Sequence, residues 1–138
     1  MSLANTERVL TDVIITQFGL SNVAYTLDNA PDAYQAKEGV TEVVECSINF
    51  LSSNQVTLGE VGSRVFRRTG DIVCRIYTEK DKGTRRSKEL LDILLNIFEG
   101  NSFSGIVTQD ISFLEIGPVG DRHLTTVRIP FYYNIEDI

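Results

Sequence analysis

Residues 61–78, VGSRVFRRTGDIVCRIYT, decide what kind of sheet this chain can form. The runs 61–68 and 71–78 both contain β-branched and aromatic side chains, which favour strands. Thr69 and Gly70 separate the two runs, and so short a connection containing glycine is typical of a β-hairpin. The sequence therefore predicts two antiparallel strands joined by a turn at Thr69 and Gly70.

A strand with alternating side chains precedes this hairpin. From Val40 onward polar and apolar residues alternate with a period of two, which predicts a half-buried strand that ends near Ser52. The same alternation holds in the run 71–78. The residues that share a predicted face are Val44, Cys46, Ile48 and Phe50 in the first strand and Ile72, Cys74 and Ile76 in the second.

Two segments show the three-and-four spacing of amphipathic helices. The first covers residues 5–19, with Asn5 or Thr6 as its predicted cap and Gly19 as its predicted end. The second runs from residue 85 to Gly100. The predicted apolar stripes consist of Val9, Leu10, Val13, Ile14 and Phe18 in the first helix and of Leu90, Leu91, Leu94, Ile97 and Phe98 in the second.

The order of these elements indicates the fold class. Further strands are predicted at 22–27, 107–116 (with Ile111, Phe113 and Leu114 pointing inward) and 124–133, and Pro130 predicts an edge position or a break in the last of them. Strands joined by short turns, with two helices available for one face, are typical of α+β proteins. We therefore expect a single domain over residues 1–138, with a mixed or mostly antiparallel sheet of about five to six strands and two helices packed on it.

Composition excludes several classes of protein without naming a function. The 138 residues are 42% apolar and 23% charged, as in ordinary globular proteins. No apolar run approaches the ~20 residues that cross a bilayer. The first residues, MSLAN, lack the basic start and apolar stretch of a signal peptide. Membrane-spanning, disulfide-rich secreted, collagenous and disordered chains are therefore not expected.

Cysteine and histidine are too few for most metal or nucleophile chemistry. Cys46 and Cys74 each lie in a predicted strand, which favours two small buried residues in a reducing compartment over a disulfide. A zinc site needs about four ligands, and these two cysteines and His123 share no short spacing. His123 has no nucleophile or paired carboxylate at motif spacing and is predicted to begin a strand. We expect no catalytic residues, no metal and no cofactor.

Charge is unevenly distributed along the chain. Residues 64–88 hold nine basic and three acidic side chains, a net charge of +6, whereas the remaining residues hold four basic and sixteen acidic ones, a net charge of −12. Such segregation predicts two surfaces of opposite electrostatic potential.

Three interpretations of the basic window stay open. It can be solvated surface that is salt-bridged to residues such as Glu89 and Asp92. It can bind nucleic acid, although an acidic chain with an isoelectric point near 4.7 is poorly suited to phosphate. It can also meet the acidic surface of a second copy, and a head-to-tail contact of this kind closes into a ring when its rotation allows.

Several short stretches carry a resemblance to a known family. They are TLG at 57–59, RTGDIVCRIY at 68–77, DKG at 81–83 before the Leu-Leu-Asp helix at 87–98, and NAP at 29–31. In this order they resemble the tail terminator proteins of long-tailed bacteriophages, of the lambda minor tail protein U type, and related tail-completion proteins. The resemblance is specific over residues 57–100 and follows the element order elsewhere.

The resemblance implies a structural protein with no enzymatic activity. Proteins of this family form a ring, commonly a hexamer, that caps the tail tube, ends its polymerisation and offers a joining surface to the head. The implied partners are further copies of the chain, the phage tail tube protein and the head–neck connector protein, with DNA only passing through the pore and no membrane involved. The implied location is the tail or neck of the virion, after assembly in the host cytoplasm.

The resemblance and the charge pattern together indicate which residues contact a subunit or the tube. The candidate interface residues are Arg64, Arg67, Arg68, Lys80, Lys82, Arg85 and Arg86. The acidic excess elsewhere would suit a face or lumen that does not hold DNA. Two alternatives remain: another phage neck component, such as a head-completion protein or a tail tube protein, and a small enzyme that uses Asp and Glu as general acid and base.

Overall fold

A computed structural model describes residues 2–21, 25–27, 42–57, 64–79, 85–120 and 122–136. Two helices and seven strands form this described part of the chain. In order they are α1 (Leu3–Leu20), β1 (Tyr25–Leu27), β2 (Val43–Gln55), β3 (Val65–Glu79), α2 (Arg85–Phe98), β4 (Ser102–Phe103), β5 (Ile106–Thr108), β6 (Ser112–Val119) and β7 (Arg122–Glu136). The prediction of an α+β fold with two helices on a mixed sheet is confirmed.

All seven strands belong to one sheet, in the order β1-β2-β3-β7-β5-β4. β1 runs parallel to β2, and the other pairs are antiparallel. β6 also pairs with β7, over residues 122–128 in the first half of β7, whereas β5 pairs with Phe131 and Tyr132 of β7. β6 and β5 therefore lie one after the other along the same side of β7, and β1 and β2 lie at the opposite side of the sheet.

The predicted hairpin at Thr69 and Gly70 is wrong. β3 is a single strand of 15 residues, and Gly70 lies inside it, opposite Phe50 of β2 and Phe131 of β7. A Cβ atom at Gly70 would lie 2.3 Å from the carbonyl oxygen of Asn49 and 2.5 Å from a ring carbon of Phe131. Position 70 requires glycine because neighbouring atoms occupy the space that a side chain would fill. The glycine does not mark a turn.

The helices cover one face of the sheet, and the predicted faces of the strands are confirmed. Leu10, Ile14 and Phe18 of α1 and Leu94 and Phe98 of α2 are buried in one hydrophobic core. The strand residues in this core are Leu27, Val44, Cys46, Ile48, Ile72, Cys74, Ile76, Ile106, Val127, Ile129, Phe131 and Tyr133. The opposite side of the sheet, the open face, carries the alternate residues of the same strands.

Cys46 and Cys74 are directly opposite each other in β2 and β3. Their Sγ atoms are 3.2 Å apart, and both are buried free thiols. The prediction that they are small buried core residues is confirmed.

Helix ends differ from the prediction in detail. α1 is capped by Ser2, whose hydroxyl accepts a hydrogen bond from the backbone N–H of Asn5, so the predicted cap at Asn5 or Thr6 lies within the helix. Gly19 also lies inside α1, which ends at Leu20. α2 ends at Phe98, two residues before the predicted end at Gly100. In the described residues, neither helix is long and apolar enough to cross a membrane.

Pro130 lies inside β7 and not at an edge or a break, contrary to the prediction. Its carbonyl accepts a hydrogen bond from the backbone N–H of Gln109, which precedes β6. The N–H and C=O of one residue in an antiparallel strand point to the same side. The position where another residue would have its N–H therefore faces the connection between β5 and β6, and no hydrogen bond to β3 is lost. β7 tolerates a proline here because the neighbouring strands β5 and β6 are interrupted at this point.

Candidate functional site

The structure divides the predicted interface residues into two groups. Arg64, Arg67 and Arg68 lie at the start of β3, whereas Arg85 and Arg86 begin α2, which follows the other end of β3. From Arg68 to Glu79 the strand extends roughly 36 Å at ~3.3 Å per residue. The five described candidates therefore do not form one surface. Lys80 and Lys82 lie outside the described residues.

The first group belongs to a three-stranded extension of the sheet, which we call the arginine arm. It consists of residues 51–55 of β2, 64–69 at the start of β3 and 132–136 at the end of β7. All five residues of β2 in this arm are exposed, whereas most of β2 before Phe50 is buried or half-buried. The hydroxyls of Ser52 and Thr69, 2.6 Å apart, join two of its strands on the open face.

Aromatic rings hold two of the arginines in the arm. The Arg67 guanidinium lies 4.4 Å from the ring centroid of Tyr132, and its Nε donates a hydrogen bond of 3.1 Å to Oδ1 of Asn134. Arg64 lies 5.4 Å from the ring centroid of Phe66. Stacking of this kind orients a guanidinium and keeps its charge. Arg68 follows Arg67 and points to the other face of the sheet.

The second group is tied to carboxylates of the same chain. Nε of Arg86 lies 2.9 Å from both carboxylate oxygens of Glu42, and its Nη1 lies 3.1 Å from Glu89. The hydrogen bond with Glu42 raises the pKa of Arg86 above its usual range, and Glu89 adds to this effect. Arg85 is exposed beside it. For Arg86, the interpretation as salt-bridged surface describes the structure well.

Other basic residues of the window 64–88 are also paired. Arg75 lies 3.5 Å from Glu45 on the open face, and Lys88 of α2 lies 3.4 Å from Glu115 of β6. These pairs join residues that are far apart in sequence. The arginine arm is a second cluster of basic side chains, formed by Arg64, Arg67 and Arg68.

Carboxylates gather at the end of α2. Asp92 and Glu99 line a groove of about 540 Å³, and Glu99 and Asp110 line an adjoining one of about 390 Å³. We call these residues the acidic groove. Among the ion pairs of the described ranges, none involves these three carboxylates. The groove lies beside the connection between β5 and β6, across β7 from the arm's outer strand β2.

β6 is the part of the surface that sequence reasoning missed. Phe113 and Leu114, predicted to point inward, are 56% and 65% exposed, and Ile116 and Val119 are 51% and 47% exposed. Phe113, Leu114 and Ile116 project from both faces of the strand, so one core could not bury them all. The near-continuous apolar run at 113–116 was the available sequence signal. Exposed apolar residues on an edge strand are typical of an interaction surface.

No metal-binding cluster accompanies these surfaces in the described ranges. There, no three His, Cys, Asp or Glu side chains lie close enough together to hold a metal ion. His123 lies near the start of β7, as predicted, opposite Thr78 of β3. Its Nδ1 atom is buried and has no hydrogen-bond partner among the described residues.

Comparison with known proteins shows the fold and leaves the function open. No protein-family model matches the chain, and no curated protein matches it. One solved structure, of a protein that carries no functional name, aligns with a TM-score of 0.70 at 10% identity and covers 96% of both chains. At this identity the likeness shows a shared fold and nothing about activity.

Proposed function

We propose that this protein is a phage tail terminator. In this proposal copies of the chain form a ring, most simply a hexamer, that caps the tail tube, ends its polymerisation and offers a joining surface to the head–neck connector. The observation that carries the proposal is the opposite charge of the arginine arm and the acidic groove, which lie on different parts of one small subunit. The resemblance over residues 57–100 supplies the phage context.

The two charged surfaces favour a head-to-tail contact between copies. The arm's outer strand is β2, at one side of the sheet, and the acidic groove lies beyond β7, at the other side. Because a surface and its complement occupy different places, each copy offers one to each neighbour. Such a contact repeats from copy to copy and forms a ring when the rotation per copy closes.

The structure describes some of the stretches that carry the resemblance. The stretch RTG at 68–70 lies inside β3 and not at a turn. The run 71–78 lies in the same strand, and Leu90, Leu91 and Asp92 lie in α2. The stretches 29–31 and 81–83 lie outside the described residues.

The open face of the sheet supports passage of DNA without binding. Two of its arginines are paired with carboxylates: Arg75 with Glu45, and Arg128 with Asp71, where Nε and Oδ2 are 2.7 Å apart. Arginines paired in this way attract phosphate weakly. The proposal therefore assigns DNA no binding residues in this chain.

Tube assembly in vitro tests the proposal. Purified protein is added to polymerising tail tube subunits, and electron microscopy measures tube lengths while native mass spectrometry measures the state of the protein alone and with tubes. A terminator shortens the length distribution and is found at tube ends as a ring. Tubes that incorporate the protein along their length indicate a tube protein, and unchanged tubes with improved joining to heads indicate a head-completion protein. Either result overturns the proposal.

A further inference from the structure

We infer that β6 joins one copy to the next by extending the sheet: its free edge pairs with the outer edge of β2, at residues 51–55, in a second copy of this chain. The inference deepens the proposed function, on which its ring rests, by naming the surface that links neighbouring copies. It depends on three observations: an apolar unpaired edge, a second open edge on the opposite side of the same sheet, and the charges that flank both.

The first observation is the edge formed by β6. Within the described part of the chain this strand pairs with β7 alone, so the backbone groups on its other side have no strand beside them. Such an edge is usually protected by charge, proline or a cover. In β6 the single charged residue, Glu115, is held by Lys88, and the apolar residues Phe113, Leu114 and Ile116 surround it. Pro118 limits pairing to the first part of the strand.

A groove beside β6 offers room for an incoming side chain. It encloses about 370 Å³ between α2 and β6, and Leu91, Phe113 and Leu114 supply much of its lining. A strand added at the edge of β6 would place side chains over this groove. Burial of exposed apolar area is the main favourable contribution to such a contact.

The second observation is the open edge of β2. On its outer side the described strand β1 pairs only with Val44–Cys46, so residues 51–55 have no neighbour on that side in the described ranges. The register of β2 shifts between Phe50 and Ser52, which places Leu51, 57% exposed, at an irregularity. Bulges of this kind redirect a side chain. Leu51 is the apolar residue of this edge that could enter the groove of a neighbour.

The third observation is charge complementarity, which selects a second copy as the partner. Arg67 and Arg68 lie in β3, directly beside the β2 edge, opposite Asn54 and Ser53. Glu99 and Asp110 lie beside the connection that enters β6. Pairing β6 of one copy with β2 of the next brings the arginine arm of the second copy towards the acidic groove of the first. An antiparallel pairing of β6 with β6 would place the two acidic grooves at opposite ends of the contact, with neither groove facing an arginine arm.

The two edges lie on opposite sides of one sheet, so the contact is head-to-tail. Each copy then contributes its β6 edge to one neighbour and its β2 edge to the other, and the sheet continues from copy to copy. A symmetric pair would instead consume the same edge in both copies and stop at a dimer.

Chemical cross-linking distinguishes these arrangements. Two single variants, Ser112→Cys at the start of β6 and Ser53→Cys in β2, are treated with a short bifunctional maleimide, separately and mixed; Cys46 and Cys74 are buried and serve as the background in wild-type protein. The inference predicts cross-linked dimers in the mixture and only background in each variant alone. A strong cross-link within Ser112→Cys alone, or none in the mixture while rings are present, overturns it.

A substitution pair tests the energetic contribution of the edge. Leu114→Lys and Ile116→Lys place charge on the β6 edge at exposed positions and should weaken association at least about tenfold, as loss of an interface anchor does. Leu20→Lys makes the same change at an exposed site on α1 and should leave association unchanged. Unchanged melting temperatures show that all three variants fold.

The outcomes separate this inference from the proposed function. Rings that form equally well with the β6 variants overturn the edge contact and leave the tail terminator proposal standing. If the β6 variants lose association and the wild-type protein does not cap tubes, the tail terminator proposal is overturned and the edge contact is retained. Wild-type protein that stays monomeric at high concentration and at tube ends overturns both.

Discussion

Gly70 shows how one residue can depend on a distant neighbour. It lies under the ring of Phe131 and against the backbone oxygen of Asn49, so a methyl group there must displace backbone or a core aromatic ring. We expect Gly70→Ala to lower the free energy of unfolding by about 1–3 kcal/mol, the usual cost of overpacking a core. Urea denaturation followed by circular dichroism measures this change.

Gly19→Ala is the matched control, because among the described residues no atom outside the adjoining helix backbone lies within 4 Å of a Cβ at that position. Gly19 is near the end of α1, where alanine favours the helix, so this variant should be as stable as the wild type or more stable by up to about 1 kcal/mol. A Gly70→Ala protein that is no less stable than Gly19→Ala would show that the close packing at Gly70 is absent in solution.

Asp71 is the residue on which a cross-strand polar network depends. Its side chain accepts a hydrogen bond of 3.1 Å from Nδ2 of Asn49 and one of 2.7 Å from Nε of Arg128, and the residue is only 7% exposed. Asp71→Ala leaves both donors without their acceptor and should cost about 1–3 kcal/mol of unfolding free energy. The cost is held to this range because Arg128 is half exposed and water can solvate it.

Glu79→Ala provides the comparison for this prediction. Glu79 ends the same strand, is exposed and has no ion pair among the described residues, so its replacement should change stability by less than about 0.5 kcal/mol. Equal stabilities of the Asp71 and Glu79 variants in the same denaturation experiment would contradict the role given to the network.

At the scale of elements, α2 anchors the core against the sheet. Leu94 is 1% exposed, and it belongs to the buried stripe of this helix. Leu94→Ala should lower the free energy of unfolding by about 2–5 kcal/mol, through lost burial and the cavity that remains. Leu20→Ala, at a residue that is 78% exposed, should change it by less than about 0.5 kcal/mol. A small effect at Leu94 in thermal and urea unfolding would mean that α2 does not pack as described.

The elements that could be predicted from sequence are those whose pattern is local. The stripes of both helices and the faces of β2 and β3 follow from spacing within one segment, and the structure agrees with them. Gly70 could not be interpreted in this way, because a turn and a close approach both require glycine. The deciding residue is Phe131, which lies on another strand. The prediction for Pro130 is wrong for a similar reason, since a proline fits inside β7 only because β5 and β6 are interrupted beside it.

At the scale of the whole molecule, the order of charged residues in the sequence predicts the charge distribution on the surface only in part. The basic window 64–88 includes the arm arginines. Arg75, Arg86 and Lys88 belong to the same window, yet each has a carboxylate partner that only folding brings near. The exposure of β6 was equally hidden, because a strand's burial depends on whether another strand lies beside it.

The arginine arm gives the prediction that belongs to this scale. Arg67→Glu combined with Arg68→Glu reverses the charge at the centre of the arm, and the fold should remain intact. The loss of the Arg67–Tyr132 contact costs only about 0.5–1 kcal/mol, because both groups are partly exposed. Association between copies, measured by native mass spectrometry and sedimentation at physiological salt, should weaken. Arg67→Lys with Arg68→Lys keeps the charge and should retain most of the association, which separates electrostatics from loss of the arginine shape.

A charge swap makes the same prediction specific to the acidic groove. Glu99→Lys with Asp110→Lys should weaken association alone, because both carboxylates lack ion-pair partners in the described part of their own chain. Combined in one chain with the Glu substitutions at Arg67 and Arg68, it should restore association, since every contact then joins opposite charges again. Arg85→Glu, an exposed change outside the arm, should have little effect.

If the arm variant assembles as the wild type does, the arm is solvated surface. If only the swap fails to restore association, the arm meets a surface other than this groove.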